Sequence, residues 1–230
     1  MNRRILVALA GAVLTASVAT TSPAVAETEA AHACTELGGT VKPDSTCHVH
    51  TETGTYTIDM SYPIDYPDQR ELRDFITRDR AEFVDFMAKV HARDRPFEHG
   101  LTPQTYSTSG TRSVVFEIYD DTGAHPVTGY KAFSYDLNTH TPITYDTLFE
   151  AGADPVAVLD PIVQRAMDKR WRGYGGPAPR NTLGARVYEN FAITDDAVVF
   201  FIPQGMWLPE VAGPMQVSVS REQLAGHLRT

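Results

Sequence analysis

The chain has 230 residues, a formal net charge of −9 and 42% hydrophobic residues. This length and apolar content suit one globular domain, or two small lobes on a shared core, and exclude a disordered protein. Acidic residues outnumber basic ones 29 to 20 and no run of Lys or Arg occurs, so the composition disfavours a nucleic-acid-binding protein.

Residues 1–26 have the pattern of a secretory signal peptide. Arg3 and Arg4 give a basic start, an apolar core follows over residues 5–19, and Ala24-Val25-Ala26 is a small-x-small cleavage site. The apolar core is short for a membrane span, and no later run reaches spanning length. We therefore expect a secreted chain without a membrane span, whose net charge changes from −9 to −11 on cleavage. The two arginines leave the general secretory and the twin-arginine routes both open.

Two cysteines, Cys34 and Cys47, lie in the expected mature part. In an oxidising compartment a disulfide is the default interpretation, and closing so short a loop contributes about 3 kcal/mol. The alternative is a metal site that adds His48 and His50, but the spacing lacks the Cys-x-x-Cys pair of zinc modules. We predict the disulfide, no metal and no cofactor, and we interpret His48 and His50 as surface histidines on one face of a strand.

The first half of the chain predicts a mobile start over residues 27–33, then a strand and a long helix. Residues 55–62 alternate apolar with polar side chains, which is typical of a half-buried strand. Pro67 suits the first position of a helix, and Asp68 favours its positive end. The stripe that follows predicts a core-facing helix, interrupted midway by Asp79 and Arg80; it comprises Leu72, Phe75, Ile76, Phe83, Phe86, Met87 and Val90.

The rest of the chain predicts mostly strands around one further helical region. Asp154-Pro155 and Asp160-Pro161 each look like a helix cap followed by proline, so we expect a kinked helix or two short helices. The order of elements predicts an α+β fold with two helices packed on mainly antiparallel sheet. The predicted strands cover two segments around Ser109-Gly110, residues 129–137, a hairpin over 191–202 and residues 215–219, with a short terminal helix capped by Ser220.

The sequence lacks the motifs of common enzymes. It has no Gly-x-Ser-x-Gly elbow, no phosphate-binding loop and no His-Glu-x-x-His helix. Ser134, His125 and Asp136 are candidates for a nucleophile, a base and an orienting acid. Residues of these types are common enough that such a set arises by chance in most chains of this size, so catalysis stays open at this point.

Two loops are candidates for recognition of a partner. The first holds His125 before Pro126, which restricts its backbone; the alternative is that its ring satisfies neighbouring backbone groups. The second, residues 203–210, places Trp207 and Glu210 outside any periodic element. Its apolar side chains either fold back onto the core or form an exposed surface. Together with Tyr130 of the tyrosine-rich sheet region, His125, Trp207 and Glu210 are the candidate binding residues.

Several segments, in order along nearly the whole mature chain, resemble the family of mycobacterial secreted immunogenic antigens. The resemblance implies an α+β fold with a β-grasp-like element, export by actinobacteria and recognition by host immunity. Relatives that share Cys47-His48-Val49-His50 are described as secreted esterases on short acyl chains. The segments are residues 34–40, Tyr66-Pro67-Asp68-Gln69, Gly123-Ala124-His125-Pro126, Tyr130-Lys131-Ala132-Phe133, and residues 142–149, 190–196 and 208–214.

The second half also resembles the extracellular domain of RsiV-type anti-sigma factors, which the wider family uses to bind lysozyme. We therefore expect one secreted domain over residues 27–230, with halves at about 34–119 and about 120–228. The leading hypothesis is binding of a basic extracellular protein, such as lysozyme, or of a cell-envelope ligand, which the acidic charge suits. The alternative is a secreted carboxylesterase acting on short-chain acyl esters.

Overall fold

The computed structural model describes residues 23–91, 95–123 and 125–229. Most of the expected signal peptide therefore lies outside the described residues. The first described element is helix α1 (Pro23–Glu36). The expectation of a mobile start over residues 27–33 is wrong, because these residues are helical and Ala30 and Cys34 are buried in the core. The predicted cleavage point after Ala26 lies within α1.

Seven strands form the main sheet, and they follow one another across it in chain order. Neighbouring strands are antiparallel except β3 and β4, which run parallel because helix α2 (Gln69–Met87) crosses between them. A hairpin followed by a crossing helix and a parallel strand is the β-grasp-like element that the resemblance implied. The strands are β1 (Thr40–Val41), β2 (Thr46–Glu52), β3 (Tyr56–Pro63), β4 (Phe97–Ser107), β5 (Thr111–Asp121), β6 (Val127–Asp136) and β7 (Thr141–Ile143).

Helix α2 covers one face of this sheet. It begins two residues later than Pro67 predicted, because the carboxylate of Asp68 accepts the backbone N–H of Glu71 and so occupies the cap position. Its inward side chains belong to the predicted apolar stripe, except that Phe86 is 44% exposed and Val90 lies beyond the end of the helix. None of the described helices combines the length and the apolar character that crossing a bilayer requires.

The predicted disulfide between Cys34 and Cys47 is confirmed. It ties α1 to β2, and both cysteines are fully buried in the core under α2. Gly39 lies directly against the sulfur atoms: a Cβ there would lie 2.7 Å from Cys47 Sγ and 2.8 Å from Cys34 Sγ. The absence of a side chain at Gly39 is therefore a packing requirement of the disulfide.

A smaller antiparallel sheet and helix α4 form a second core. Helix α4 runs unbroken through Pro161, so the alternative of two short helices is wrong. Asp154 caps α4 as predicted, whereas the carboxylate of Asp160 accepts hydrogen bonds from Asn181 and Tyr188. Ser220 accepts the backbone N–H of Gln223 in a series of turns rather than a helix. The elements are α3 (Tyr145–Leu148), α4 (Pro155–Trp171), β8 (Phe191–Ile193), β9 (Ala197–Ile202) and β10 (Met215–Ser220).

The two cores meet back to back through the main sheet. Val115 and Tyr130 of the main sheet pack against Ala192 and Phe201 of the small sheet. The division expected between residues 119 and 120 falls inside β5, near its end, and β5 pairs with β6 in the same sheet. The α+β class with a mainly antiparallel sheet is confirmed.

Candidate functional site

Ser134, His125 and Asp136 do not form a catalytic arrangement. His125 precedes β6, whereas Ser134 and Asp136 lie at the far end of that strand. A strand rises about 3.3 Å per residue, so roughly 20 Å of extended backbone separates Ser134 from the start of β6 near His125. A base must lie within hydrogen-bond reach of its nucleophile, and the structure does not bring these three candidates together in that way.

Ser134 and Asp136 have structural partners instead. The hydroxyl of Ser134 lies 2.9 Å from that of Ser113 and donates to the carbonyl of Phe191 at 3.2 Å. Ser113 Oγ also accepts the backbone N–H of Ile193, so the two buried serines fasten the small sheet to the main one. The carboxylate of Asp136 accepts two backbone N–H groups of the β6–β7 turn, which lowers its pKa.

The candidate binding residues separate into an exposed pair and two buried rings. His125 Nε2 lies 3.2 Å from Glu210 Oε2, and both side chains are more than half exposed. Trp207 is only 7% exposed, and its Nε1–H donates to the carbonyl of Pro179 at 3.0 Å. Tyr130 is likewise buried, with its ring 5.3 Å from that of Phe201. The 203–210 loop thus folds back onto the core, and Trp207 does not form an exposed recognition surface.

A polar cluster on the outer face of β2 and β3 brings together a serine, two histidines and an aspartate. The register pairs His48 with Ser61 and His50 with Asp59. Ser61 Oγ lies 3.2 Å from His48 Nδ1. Asp59 bridges the two rings, with one oxygen 3.9 Å from His48 Nδ1 and the other 3.2 Å from His50 Nδ1. We call these four residues the β2–β3 cluster.

Alternation along the two strands explains why the β2–β3 cluster faces outward. Cys47, Val49, Ile58 and Met60 point into the core under α2, so the residues between them point to the opposite face. His48 has 32% and Asp59 56% of its side chain exposed, so a soluble molecule can reach the Ser61–His48 contact. The sequence placed His48 and His50 on one face correctly. It missed Ser61 and Asp59, because only the pairing register brings β3 beside them.

A second histidine, His99, lies in a buried ionic arrangement between α2 and the main sheet. Its Nε2 is 2.8 Å from Asp79 and its Nδ1 is 2.7 Å from Asp120, while the ring stacks on Phe83 at 4.8 Å. Burial lowers the pKa of His99, but the hydrogen bonds and negative charge of Asp120 and Asp79 outweigh this and raise it to about 9. His99 is therefore a charged structural residue at neutral pH, with no ring nitrogen left to act as a base.

His99 also explains the break in the apolar stripe of α2. Asp79 interrupts that stripe because its carboxylate faces the imidazole rather than solvent. Among the described residues, no group of three or more His, Cys, Asp and Glu side chains has an arrangement that holds a metal ion. In the β2–β3 cluster, by contrast, a serine hydroxyl lies beside an accessible imidazole.

Comparison with known proteins gives relatives along almost the whole chain. "Esterase Rv3036c" of Mycobacterium tuberculosis is 42% identical over 222 residues, covering 94% of this chain and 96% of that protein. "Immunogenic protein MPT64" of the same species and "Immunogenic protein MPB64" of Mycobacterium bovis are each 39% identical over 196 residues, covering 83% of this chain and 86% of theirs. These matches confirm the resemblance to the mycobacterial immunogenic antigens and to esterase-described relatives.

A family model described as "Protein of unknown function (DUF3298)" matches residues 146–222. Two solved structures of that family share the fold. The Pseudomonas aeruginosa protein has a TM-score of 0.56 at 13% identity, covering 82% of this chain and 96% of that one. The Bacteroides fragilis protein has a TM-score of 0.51 at 14% identity, with coverages of 83% and 95%. The chain belongs to the protein family that contains mycobacterial Esterase Rv3036c and the immunogenic proteins MPT64 and MPB64.

Proposed function

We propose that this chain is an exported esterase that hydrolyses small carboxylic esters, with Ser61 as nucleophile and His48 as general base. The observation that carries the proposal is the 3.2 Å contact between Ser61 Oγ and His48 Nδ1 on an accessible sheet face. The name of the 42% identical relative, an esterase, supports the same reaction class. Without a base, a serine hydroxyl is a weak nucleophile, so this contact is what the chemistry needs.

The proposed reaction follows from the two ring contacts. His48 Nδ1 takes the hydroxyl proton as Ser61 Oγ attacks the ester carbonyl, and the resulting imidazolium faces the carboxylate of Asp59 at 3.9 Å. His48 then gives that proton to the leaving alcohol, which departs and leaves an acyl group on Ser61. A water molecule, deprotonated by His48, releases the acid and restores the serine. His50 acts through Asp59, which it holds at 3.2 Å.

The open position of the β2–β3 cluster sets the expected substrate class. Neither the cavity of about 610 Å³ nor that of about 420 Å³ among the described residues is lined by a residue of the β2–β3 cluster, so a substrate at Ser61 would lie on the exposed sheet face. Small, soluble esters with short acyl groups and good leaving groups are the substrates that such a face accepts. We expect weak substrate binding, and therefore a high KM, because little apolar area is buried.

Export is supported by the Cys34–Cys47 disulfide and by the relatives named as immunogenic proteins. The predicted signal peptide over residues 1–26 is part of this proposal. Binding of a basic partner has less support, because Trp207, one of its expected contact residues, is buried. The features that still support partner binding are the exposed pair of His125 and Glu210 and the net negative charge of the chain.

The test is hydrolysis of p-nitrophenyl acetate by the purified chain and by Ser61→Ala. We expect Ser61→Ala to lose at least a hundredfold in kcat/KM, with an unchanged circular dichroism spectrum. Ser218→Ala is the matched control, since Ser218 is an exposed serine on β10. Mass spectrometry after acid quenching should find the acyl group on Ser61. Turnover that survives Ser61→Ala would mean that exposed histidines or lysines attack this activated ester directly, and it would refute the proposal.

A further inference from the structure

A cavity of about 610 Å³ lies apart from the β2–β3 cluster, where the two halves of the molecule meet. It opens between the start of α2, the outer edge of β6, the β7–α3 turn and the segment before β8. Cavities of this size hold small ligands. Five aromatic rings line it, from Tyr66, Phe133, Tyr135, Tyr145 and Phe191. We call this cavity the aromatic cleft.

Acidic groups outnumber basic ones in the wall of the aromatic cleft. The basic groups are Arg70 and Lys131; the acidic ones are Asp68, Glu71, Asp146 and Glu189. Asp68 caps α2, and none of the four carboxylates forms an ion pair with another described residue. The cleft therefore carries negative charge that the described part of the chain leaves uncompensated.

The carboxylates in and near the aromatic cleft affect the pKa of its three tyrosines. Burial and the nearby carboxylate of Asp68 raise the pKa of both Tyr66 and Tyr135. Burial and the carboxylates of Asp154 and Asp146 raise the pKa of Tyr145 to about 12. The phenols are thus neutral at physiological pH, and their rings offer electron-rich faces within a negative potential.

One ring of the cleft already holds a cation. The ammonium of Lys131 lies 5.1 Å from the centroid of the Phe133 ring, which is cation–π distance. Phe133 belongs to the same wall as Tyr135, so the chemistry of this wall suits a positive charge beside an aromatic ring. Aromatic faces combined with surplus carboxylates bind organic cations better than anions or neutral apolar molecules.

We propose that the aromatic cleft binds an organic cation, namely a primary ammonium or guanidinium group carried on an apolar stem. The stem packs on the rings of Tyr135 and Tyr145, and the cation pairs with Asp146 and Glu189. Such a group comes from a free amine or from a lysine or arginine side chain of a peptide. The inference is independent of ester hydrolysis, because Ser61 and His48 are not among the residues that line the cleft.

The test is NMR titration of the ¹⁵N-labelled chain with three probes. These are 4-phenylbutylamine, the dipeptide acetyl-Phe-Lys-amide and its acidic counterpart acetyl-Phe-Glu-amide. We expect saturable shifts of cleft residues such as Phe133 and Tyr135 with at least one of the two cationic probes. Saturation by the amine alone identifies a free amine as the ligand, and saturation by the lysine dipeptide identifies a basic peptide; either result supports the proposal. No saturation below about 10 mM, or equal binding of the acidic dipeptide, would overturn it.

A double variant, Asp146→Asn with Glu189→Gln, distinguishes specific recognition of the cation from non-specific binding. Both side chains are exposed, so the fold should be kept. We expect its affinity for the bound cationic probe to fall at least tenfold, whereas Asp195→Asn, in the β8–β9 turn, leaves the affinity unchanged. An equal affinity of the double variant and the unmodified chain would refute the proposed pairing. Ester hydrolysis by the double variant should match that of the unmodified chain, which keeps the two proposals distinguishable.

Discussion

Ser61 and His48 lie directly opposite each other on β3 and β2, with the serine hydroxyl 3.2 Å from His48 Nδ1. The same register places His50 against Asp59. One hairpin therefore supplies a hydroxyl, a base and a carboxylate without any contribution from the second core. The rigidity of paired strands holds these groups more firmly than a loop would.

The two histidines of the β2–β3 cluster should differ in their effect on hydrolysis. We expect His48→Gln to lower kcat for p-nitrophenyl acetate by about 10²–10⁴-fold, because it removes the proposed general base. His50→Gln should lower kcat less than tenfold, because the imidazole of His50 contacts Asp59 and not the hydroxyl of Ser61. Equal losses from the two substitutions would contradict the assigned roles. Circular dichroism and thermal unfolding of both variants serve as folding controls.

The chain should become less stable in alkaline solution, because His99 loses its proton there. Its pKa is raised to about 9 in the folded state, against an ordinary value of 6.5. A raised pKa stabilises the fold fully below pH 6.5, and that contribution disappears as pH rises through 9. It is on the order of 3 kcal/mol, which urea unfolding between pH 6 and pH 10 can measure.

Two further measurements isolate the contribution of His99. NMR of the unmodified chain should show an imidazole that stays protonated up to about pH 8. Asp120→Asn removes one of the two carboxylates that contact His99. The difference in the free energy of unfolding between the unmodified chain and this variant should therefore become smaller from pH 6 to pH 10. A difference that is constant across this range would contradict the stabilising role of protonated His99.

Trp207→Ala should lower the free energy of unfolding rather than weaken the binding of a partner. The ring is buried in the second core and donates a hydrogen bond to the carbonyl of Pro179. Truncating a buried tryptophan costs about 3–5 kcal/mol, which urea unfolding will report. Trp207→Phe keeps most of the apolar volume and should cost clearly less. Near-native stability of Trp207→Ala would show that the loop does not pack as described.

Gly39→Ala should strain the disulfide region. The new methyl group would lie under 3.0 Å from both sulfur atoms and from Val49 Cγ2, so these groups must shift. Overpacking of this kind costs about 1–3 kcal/mol. Gly54→Ala is the matched control, since a Cβ at Gly54 has open space around it. Thermal unfolding of the two variants under oxidising conditions gives the comparison.

Local patterns predicted most of the strands and the two long helices. Alternation over residues 55–62 and the apolar stripe of α2 depend on neighbouring residues alone, and both elements lie close to where those patterns predict them, with their ends shifted by a few residues. Residues 27–33, where the sequence predicts a mobile start, belong instead to helix α1. Helix α1 is held by the disulfide and by contacts with β2, which lie outside any local window.

The candidate site was harder to predict because its partners come from different elements. His99 needs Asp79 from α2 and Asp120 from β5, and Ser61 needs His48 from the facing strand. Residue types alone favoured Ser134, whose hydroxyl is occupied by its partners between the sheets. Pairing register and topology decide which polar groups meet. Neither can be predicted from the residue spacing within one segment.

The back-to-back packing of the sheets also limits how the chain can be divided. Residues 146–222, the part that the family model matches, include Ala192 and Phe201, which are buried against Val115 and Tyr130 of the main sheet. Expressed alone, this segment would present that apolar surface to water and lose the serine contacts to β5 and β6. We therefore expect this segment to depend on the strands that precede it, and fragments for immunological or biochemical work should include those strands.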